Sequence, residues 1–308
     1  MFSVIFPGQG SQSVGMGKEF YDKYDLVKNL FKEADEALGI HLSKIILEGP
    51  KEELDRTSNT QPAIFLVSYS IFNVIKKEFN IDLNQAKYFA GHSLGEYSAL
   101  SSAGYLSFAD TIKILKSRGE AMQNSIKEGE GGMIAILGIV AEEVEKILNE
   151  YQNEFVAEIA NDNSEGQVVI SGKNTDLLKL TEVLKNKKIK NIKLPVSAPF
   201  HCSLMNKATE VMKKEINKKN FNNVDQKLIS NVTADEIPNT DELKKLLIKQ
   251  IESRVRWRES VINMINKGTT HFIEIGPGKV LSGLVKRINK EVKINSINNE
   301  IDIKDLNI

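Results

Sequence analysis

The chain has 308 residues, 41% hydrophobic and 27% charged, and its 41 Lys and Arg balance 41 Asp and Glu. That length suits one large domain or two ordinary ones, and a formal charge of zero argues against nucleic-acid binding driven by bulk charge. The single cysteine, Cys202, excludes an internal disulfide framework and a Cys-rich zinc site and fits a reducing compartment. The N-terminus, Met1-Phe-Ser-Val-Ile-Phe-Pro-Gly8, lacks the basic n-region of a secretory signal. The most apolar segment, Pro62 to Ile75, is interrupted by Ser68, Tyr69, Ser70 and Asn73, short of the roughly 18 apolar residues of a membrane span. The expectation is a cytoplasmic protein that binds neither nucleic acid nor membrane.

Ser3 to Phe6 reads as a first strand, followed by the Gly-rich loop Pro7-Gly-Gln-Gly-Ser-Gln12. Glycine loops after a first strand can cradle phosphates, but Gly8, Gly10 and Gly15 do not give G-x-G-x-x-G and no G-K-[ST] follows. Residues 18 to 38 carry helical periodicity through Phe20, Leu26, Leu30, Phe31, Ala34 and Leu38. Thr57 to Gln61 reads as a capping run before a buried helix, with Pro62 in its first turn. Tyr88 to Leu100 then reads as a short strand, a turn carrying Ser93 and a helix beginning at Leu94. Gly91 and Gly95 clear side chains from a sharp strand-to-helix turn, the mechanical content of G-x-S-x-G. Ala109 to Ser125, with Arg118, is a further amphipathic helix.

The character of the chain changes after Glu128-Gly-Glu-Gly-Gly132. Met133 to Val140, Phe155 to Ala160, Gln167 to Ser171 and Ile189 to Leu194 read as strands, and Glu142 to Tyr151 and Asp176 to Asn186 as helices. This β-α-β-β-α-β order is the ferredoxin-like arrangement. Beyond Pro199 helices return, with strands at Leu228 to Asn231 and Phe272 to Ile275 and a turn at Gly276-Pro-Gly278.

Ser93 needs a base, and there are four histidines. His41 and His271 read as structural, and His92 adjoins the serine in sequence so that its side chain points elsewhere. His201 stands in the irregular segment Pro195-Val-Ser-Ala-Pro-Phe-His-Cys202, the setting in which scaffolds place catalytic groups, and is the candidate base. Acidic residues lie between Ser93 and His201, none in a strand-end context that singles it out as a triad member. A neutral acceptor such as a backbone carbonyl is the other way to fix the histidine tautomer, which would make a dyad.

Seven blocks in register carry a resemblance that covers essentially the whole chain. They are Phe6 to Gln12, Asn59-Thr-Gln-Pro-Ala63, Gly91-His-Ser-Leu-Gly-Glu96, Ser117-Arg-Gly119, Gly166 to Gly172, Ala198-Pro-Phe-His201 and Glu274-Ile-Gly-Pro-Gly278. In this order and spacing they resemble the malonyl-CoA:acyl carrier protein transacylases of bacterial fatty-acid synthesis. The resemblance implies an α/β fold: an α/β-hydrolase-like large subdomain, residues 1–128 and 198–308, with an inserted ferredoxin-like small subdomain, residues 129–197. It implies that Ser93 carries the malonyl ester and His201 activates it. Backbone N–H groups of Gln9 and Leu94 would form the oxyanion hole, and the Gln250 carbonyl would receive the histidine N–H, its side chain counting for less. Arg118 would hold the free malonyl carboxylate, which a planar guanidinium binds bidentately. Without the resemblance Arg118 would read as an ordinary surface arginine. Gln61 is expected at the substrate, and Phe200 as the bulky group that disfavours an α-methyl.

The expected substrates are malonyl-CoA and the acyl carrier protein, with no cofactor, no metal and a monomeric enzyme. Lys286 and Arg287 are candidate contacts for an acidic carrier, whereas Lys185, Lys187, Lys188 and Lys190 read equally well as solvated lysines. The rival readings are a serine hydrolase or thioesterase, in which water takes the acyl group, and a non-catalytic carrier-binding module.

Overall fold

The computed structural model describes residues 1–196 and 198–306. Two four-stranded sheets organise it. The first joins β1 (Phe2–Phe6), β2 (Phe89–Gly91), β7 (His271–Ile275) and β8 (Lys293–Ile297) in the order β2-β1-β7-β8, every pair parallel. The second joins β3 (Gly131–Leu137), β4 (Ala157–Ser164), β5 (Gln167–Lys173) and β6 (Lys190–Lys193) in the order β4-β5-β3-β6, every pair antiparallel.

A parallel sheet covered by helices on both faces buries alternate residues in opposite directions. In β1, Val4 and Phe6 join the core under the long helix Thr57–Lys77, while Ile5 joins the opposite core with Trp257, Phe272 and Leu281. This second core is closed by the helices Trp257–Asn266 and Val280–Ile288. The strand expected at Leu228 to Asn231 is reduced to single bridges, Phe89 to Leu228 and Ile229 to Glu236, and it extends the sheet beyond β2.

The second sheet has the strand order of a ferredoxin-like unit, with helices Ala141–Glu150 and Asn174–Asn186 crossing one face. Ile134, Ile136, Val168 and Ile170 pack under those helices as a core of their own. Their neighbours Met133, Ala135 and Val169 point the other way and merge with the core of the large unit. The period-2 alternation therefore gives the small sheet an inner face and a docking face. The end of the expected small subdomain, residue 197, falls outside the described residues.

Two local expectations are corrected. The periodicity over 18 to 38 is split at Tyr24, which is extended between helices Lys18–Lys23 and Asp25–Leu38 and donates its hydroxyl to Glu300 at 3.0 Å. The buried helix begins at Thr57, so Pro62 lies inside it rather than in its first turn. The Thr and Asn that read as a cap are instead helical and buried: Thr60 donates to the carbonyls of Leu54 and Arg56, and Asn59 to that of Glu53.

Candidate active site

At the C-terminal end of β2 the chain turns through Ser93 into the helix Leu94–Ser102. Ser93 has φ 55° and ψ −110°, a conformation costing on the order of 1–3 kcal/mol for a residue with a side chain. The glycines make this turn sterically feasible. A Cβ on Gly91 would sit 2.0 Å from the Gly95 carbonyl, and one on Gly95 would sit 2.3 Å from the Phe6 carbonyl oxygen. The strained turn is clamped by Asn231, whose Oδ1 accepts the Ser93 N–H at 2.7 Å and whose Nδ2 donates to the Gly91 carbonyl at 2.7 Å.

Ser93 Oγ lies 2.7 Å from His201 Nε2, and His201 Nδ1 lies 2.9 Å from the Gln250 carbonyl oxygen. A carbonyl can only accept, so Nδ1 carries the proton and Nε2 presents its lone pair to the serine hydroxyl. The orienting group is thus neutral. Burial, and then the Arg118 charge, push the His201 pKa down to about 3, which keeps the ring neutral and able to accept a proton. His201 itself has φ 58°, a second strained residue at the reacting centre.

Arg118, on the helix Phe108–Gln123, is 1% exposed, unlike the surface residue its helix pattern suggested. Nη1 donates to Gln61 Oε1 at 2.8 Å, and Nη2 to Gln250 Oε1 at 2.9 Å and to Ser93 Oγ at 3.1 Å. All three acceptors are neutral, and the Nε–H has no acceptor among the described residues. The guanidinium also lies over the Tyr97 ring, 5.5 Å from its centroid. A buried cation held this way has lost its water and keeps an unused donor, the state of a group prepared for an anion.

A cavity of about 400 Å³ opens on Ser93 and His201 and is also lined by Gln9, Gln61, Leu94, Arg118 and Phe200. The small unit supplies Met133, Asn161 and Leu194 to its wall. Leu94 is the first residue of its helix, so its N–H has no intrahelical acceptor and lies at the positive end of the helix dipole. The Gly-rich loop bearing Gln9 is held by Ser11 Oγ donating to the Gly8 carbonyl and the Gly10 N–H donating to Gln12 Oε1, both at 2.8 Å.

Sequence reasoning missed the layer beneath the serine. The side chain of Gln250 was expected to count for less than its carbonyl, yet it bonds Arg118, the Ser93 carbonyl at 3.1 Å and Glu96 Oε2 at 2.6 Å. Glu96 and Asn231 carry no assigned role in the sequence. A carboxylate inside the apolar run Leu94-Gly-Glu-Tyr-Ser-Ala-Leu100 was the available signal for Glu96. His92 turns away from Ser93 Oγ, bonding Asn163 Oδ1 through Nε2 at 2.8 Å with its ring against Trp257. His41 is exposed, and His271 is buried at the start of β7 against Asn295. Lys286 and Arg287 are exposed on the Val280–Ile288 helix and do not line the cavity; Arg287 donates to Gln167 of the small unit at 2.8 Å.

The acyl transferase domain matches residues 3–301. The chain belongs to the acyl transferase family. This acyl transferase is 44% identical to the malonyl CoA-acyl carrier protein transacylase of Bacillus subtilis (strain 168), over 94% of this chain and 91% of the relative. It superposes on the crystal structure of the acyl-carrier-protein-S-malonyltransferase of Bartonella henselae with a TM-score of 0.95 at 40% identity, covering 99% of this chain and 97% of the other. A malonyl-transacylase solved in complex with its type II polyketide acyl-carrier protein matches with a TM-score of 0.94 at 34% identity, over 98% and 97% of the two chains. Among the described residues no helix of this acyl transferase is long and apolar enough to cross a membrane.

Proposed function

We propose that this chain moves the malonyl group from malonyl-CoA to the phosphopantetheine thiol of an acyl carrier protein through an ester on Ser93. The observation that carries this reading is the buried Arg118 cation, 3.1 Å from the serine oxygen and bonded only to neutral acceptors. Acyl transfer alone needs a nucleophile and a base. A desolvated guanidinium beside them selects an acyl group with a second, negative end, which distinguishes malonyl from acetyl.

In the first half-reaction Ser93 Oγ attacks the thioester carbonyl carbon while its proton passes to His201 Nε2. The oxyanion forms towards the N–H groups of Gln9 and Leu94. Its collapse breaks the C–S bond, and the CoA thiolate takes the proton from His201 as it leaves. In the second half-reaction the carrier thiol gives its proton to His201 and attacks the ester. Ser93 Oγ then leaves and recovers the proton. Arg118 holds the malonyl carboxylate throughout, with Gln61 and Gln250 bracing the guanidinium. Phe200 walls the pocket and disfavours an α-methyl by about 1–3 kcal/mol, the usual value of one methyl.

The chemistry calls for no cofactor, since the CoA thioester is itself a substrate, and no metal. The enzyme works as a cytoplasmic monomer, with Lys286 and Arg287 meeting an acidic carrier. Both substrates should be varied in steady-state assays. Parallel double-reciprocal lines, with activity lost in Ser93→Ala, are expected. Intersecting lines, a fully active Ser93→Ala, or release of free malonate in place of transfer would contradict the reading.

A further inference from the structure

Glu96 is 1% exposed and touches neither the cavity nor the reacting atoms. Its Oε2 accepts the Gln250 Nε2 at 2.6 Å and the Asn231 N–H at 3.2 Å, and its Oε1 has no donor among the described residues. A side-chain amide has two chemically different ends of nearly the same shape. Rotating the Gln250 amide by half a turn would place its NH₂ against the Arg118 guanidinium, where two donors face each other. What prevents this is an acceptor on the far side of the amide. The Ser93 carbonyl supplies one at 3.1 Å, and Glu96 supplies a shorter one at 2.6 Å.

We infer that Glu96 is a positioning residue for carboxylate recognition: it fixes which end of the Gln250 amide faces Arg118, and so holds the guanidinium where the acyl carboxylate is received. The chain of contacts runs from Glu96 Oε2 to Gln250 Nε2, through the amide to Gln250 Oε1, and on to Arg118 Nη2. Asn231 ties the same oxygen to the serine turn, because its N–H binds Glu96 while its side chain clamps Ser93 and Gly91. What Glu96 supplies is an acceptor oxygen at one place rather than a negative charge. Its pKa, raised to about 7 mainly by burial, fits a carboxyl whose second oxygen is left without a donor. The inference deepens the malonyl reading and rests on it.

The test is the ratio of kcat/KM for malonyl-CoA to that for acetyl-CoA in the half-reaction that forms the acyl-enzyme. Acetyl transfer uses Ser93 and His201 without the carboxylate contact, so it also serves as a control for folding. Wild type should favour malonyl strongly; a wild-type ratio near one would remove the malonyl reading itself. Given that preference, Glu96→Met, of similar length with no acceptor, should lower the ratio roughly tenfold or more, the scale of one hydrogen bond to a charged group. Glu96→Gln, whose amide oxygen can accept the same two donors, should keep the ratio within about threefold. An unchanged ratio in Glu96→Met overturns the inference. So does a ratio that collapses equally in Glu96→Gln, because charge rather than orientation would then be what Glu96 provides.

Discussion

The two sheets divide the work differently. The large unit built on the parallel sheet supplies Ser93, His201, Arg118, Gln61 and Gln250, which bond one another at the reacting centre. The antiparallel sheet supplies wall residues and the partner of His92. The two are nevertheless stitched tightly along β4. The Asp162 N–H donates to the Val255 carbonyl and the Val255 N–H to the Ala160 carbonyl, and Arg258 grips the buried Asp162 carboxylate with Nε at 2.9 and 3.1 Å. The lesson is that the chemistry lives on the rigid strand-to-helix turn of one unit, while the other sets the shape of the space in front of it.

Removing the cation should have the largest effect. Arg118→Ala deletes a bidentate, charge-assisted contact, about 3–4 kcal/mol or roughly 10²–10³-fold in kcat/KM for malonyl-CoA, with far less effect on acetyl-CoA. It should also shift the acid limb of the pH profile. His201 must be neutral to accept the serine proton, and its pKa is held down first by burial and second by the Arg118 charge. Without that charge the pKa rises, so activity should fail at a higher pH than in wild type as the solution is acidified. An acid limb that stays in place would show that Arg118 does not act on His201.

A cut at the junction of the two units should be milder and different in kind. Burial pushes the Asp162 carboxyl up more than Arg258 pulls it down, so the pair adds little net stability, but Arg258→Met would strand the carboxylate. We expect a loss of about 3 kcal/mol in urea unfolding, the low end for breaking a buried pair, and a raised KM for malonyl-CoA with kcat nearly unchanged. A fall in kcat equal to that of Arg118→Ala would erase the division of labour. Smallest of all should be charge reversal at Lys286 and Arg287. It should raise KM for the carrier several-fold at low ionic strength, with the effect fading near 0.5 M salt, and leave the malonyl-CoA half-reaction alone. An unchanged carrier KM at low salt would remove this helix from the docking surface.

How far the sequence reached follows the same line. The turn at Ser93 was legible because close backbone approach demands glycine at 91 and 95, and the ferredoxin-like order because strand and helix periods alternate over a short span. His201 stood out through its irregular neighbourhood. The layer below was not legible. Glu96 meets Asn231 across 135 residues of chain and Gln250 across 154, and nothing local tells a buried amide from a surface one. The same holds for Arg118, whose amphipathic helix reads as exposed until Gln61 and Tyr97 are seen to cover it, and for β8, whose pattern Lys-Ile-Asn-Ser-Ile is too polar to announce a sheet edge.

The central claim is that Ser93 carries a malonyl group between two thiols. It is tested most directly by mixing the enzyme with radiolabelled malonyl-CoA, isolating the protein, mapping the label and then adding the carrier with its phosphopantetheine thiol. The account predicts close to one malonyl per chain, on Ser93, and its quantitative passage to the carrier. Label on another residue, or an ester that gives only free malonate when the carrier is added, would contradict it.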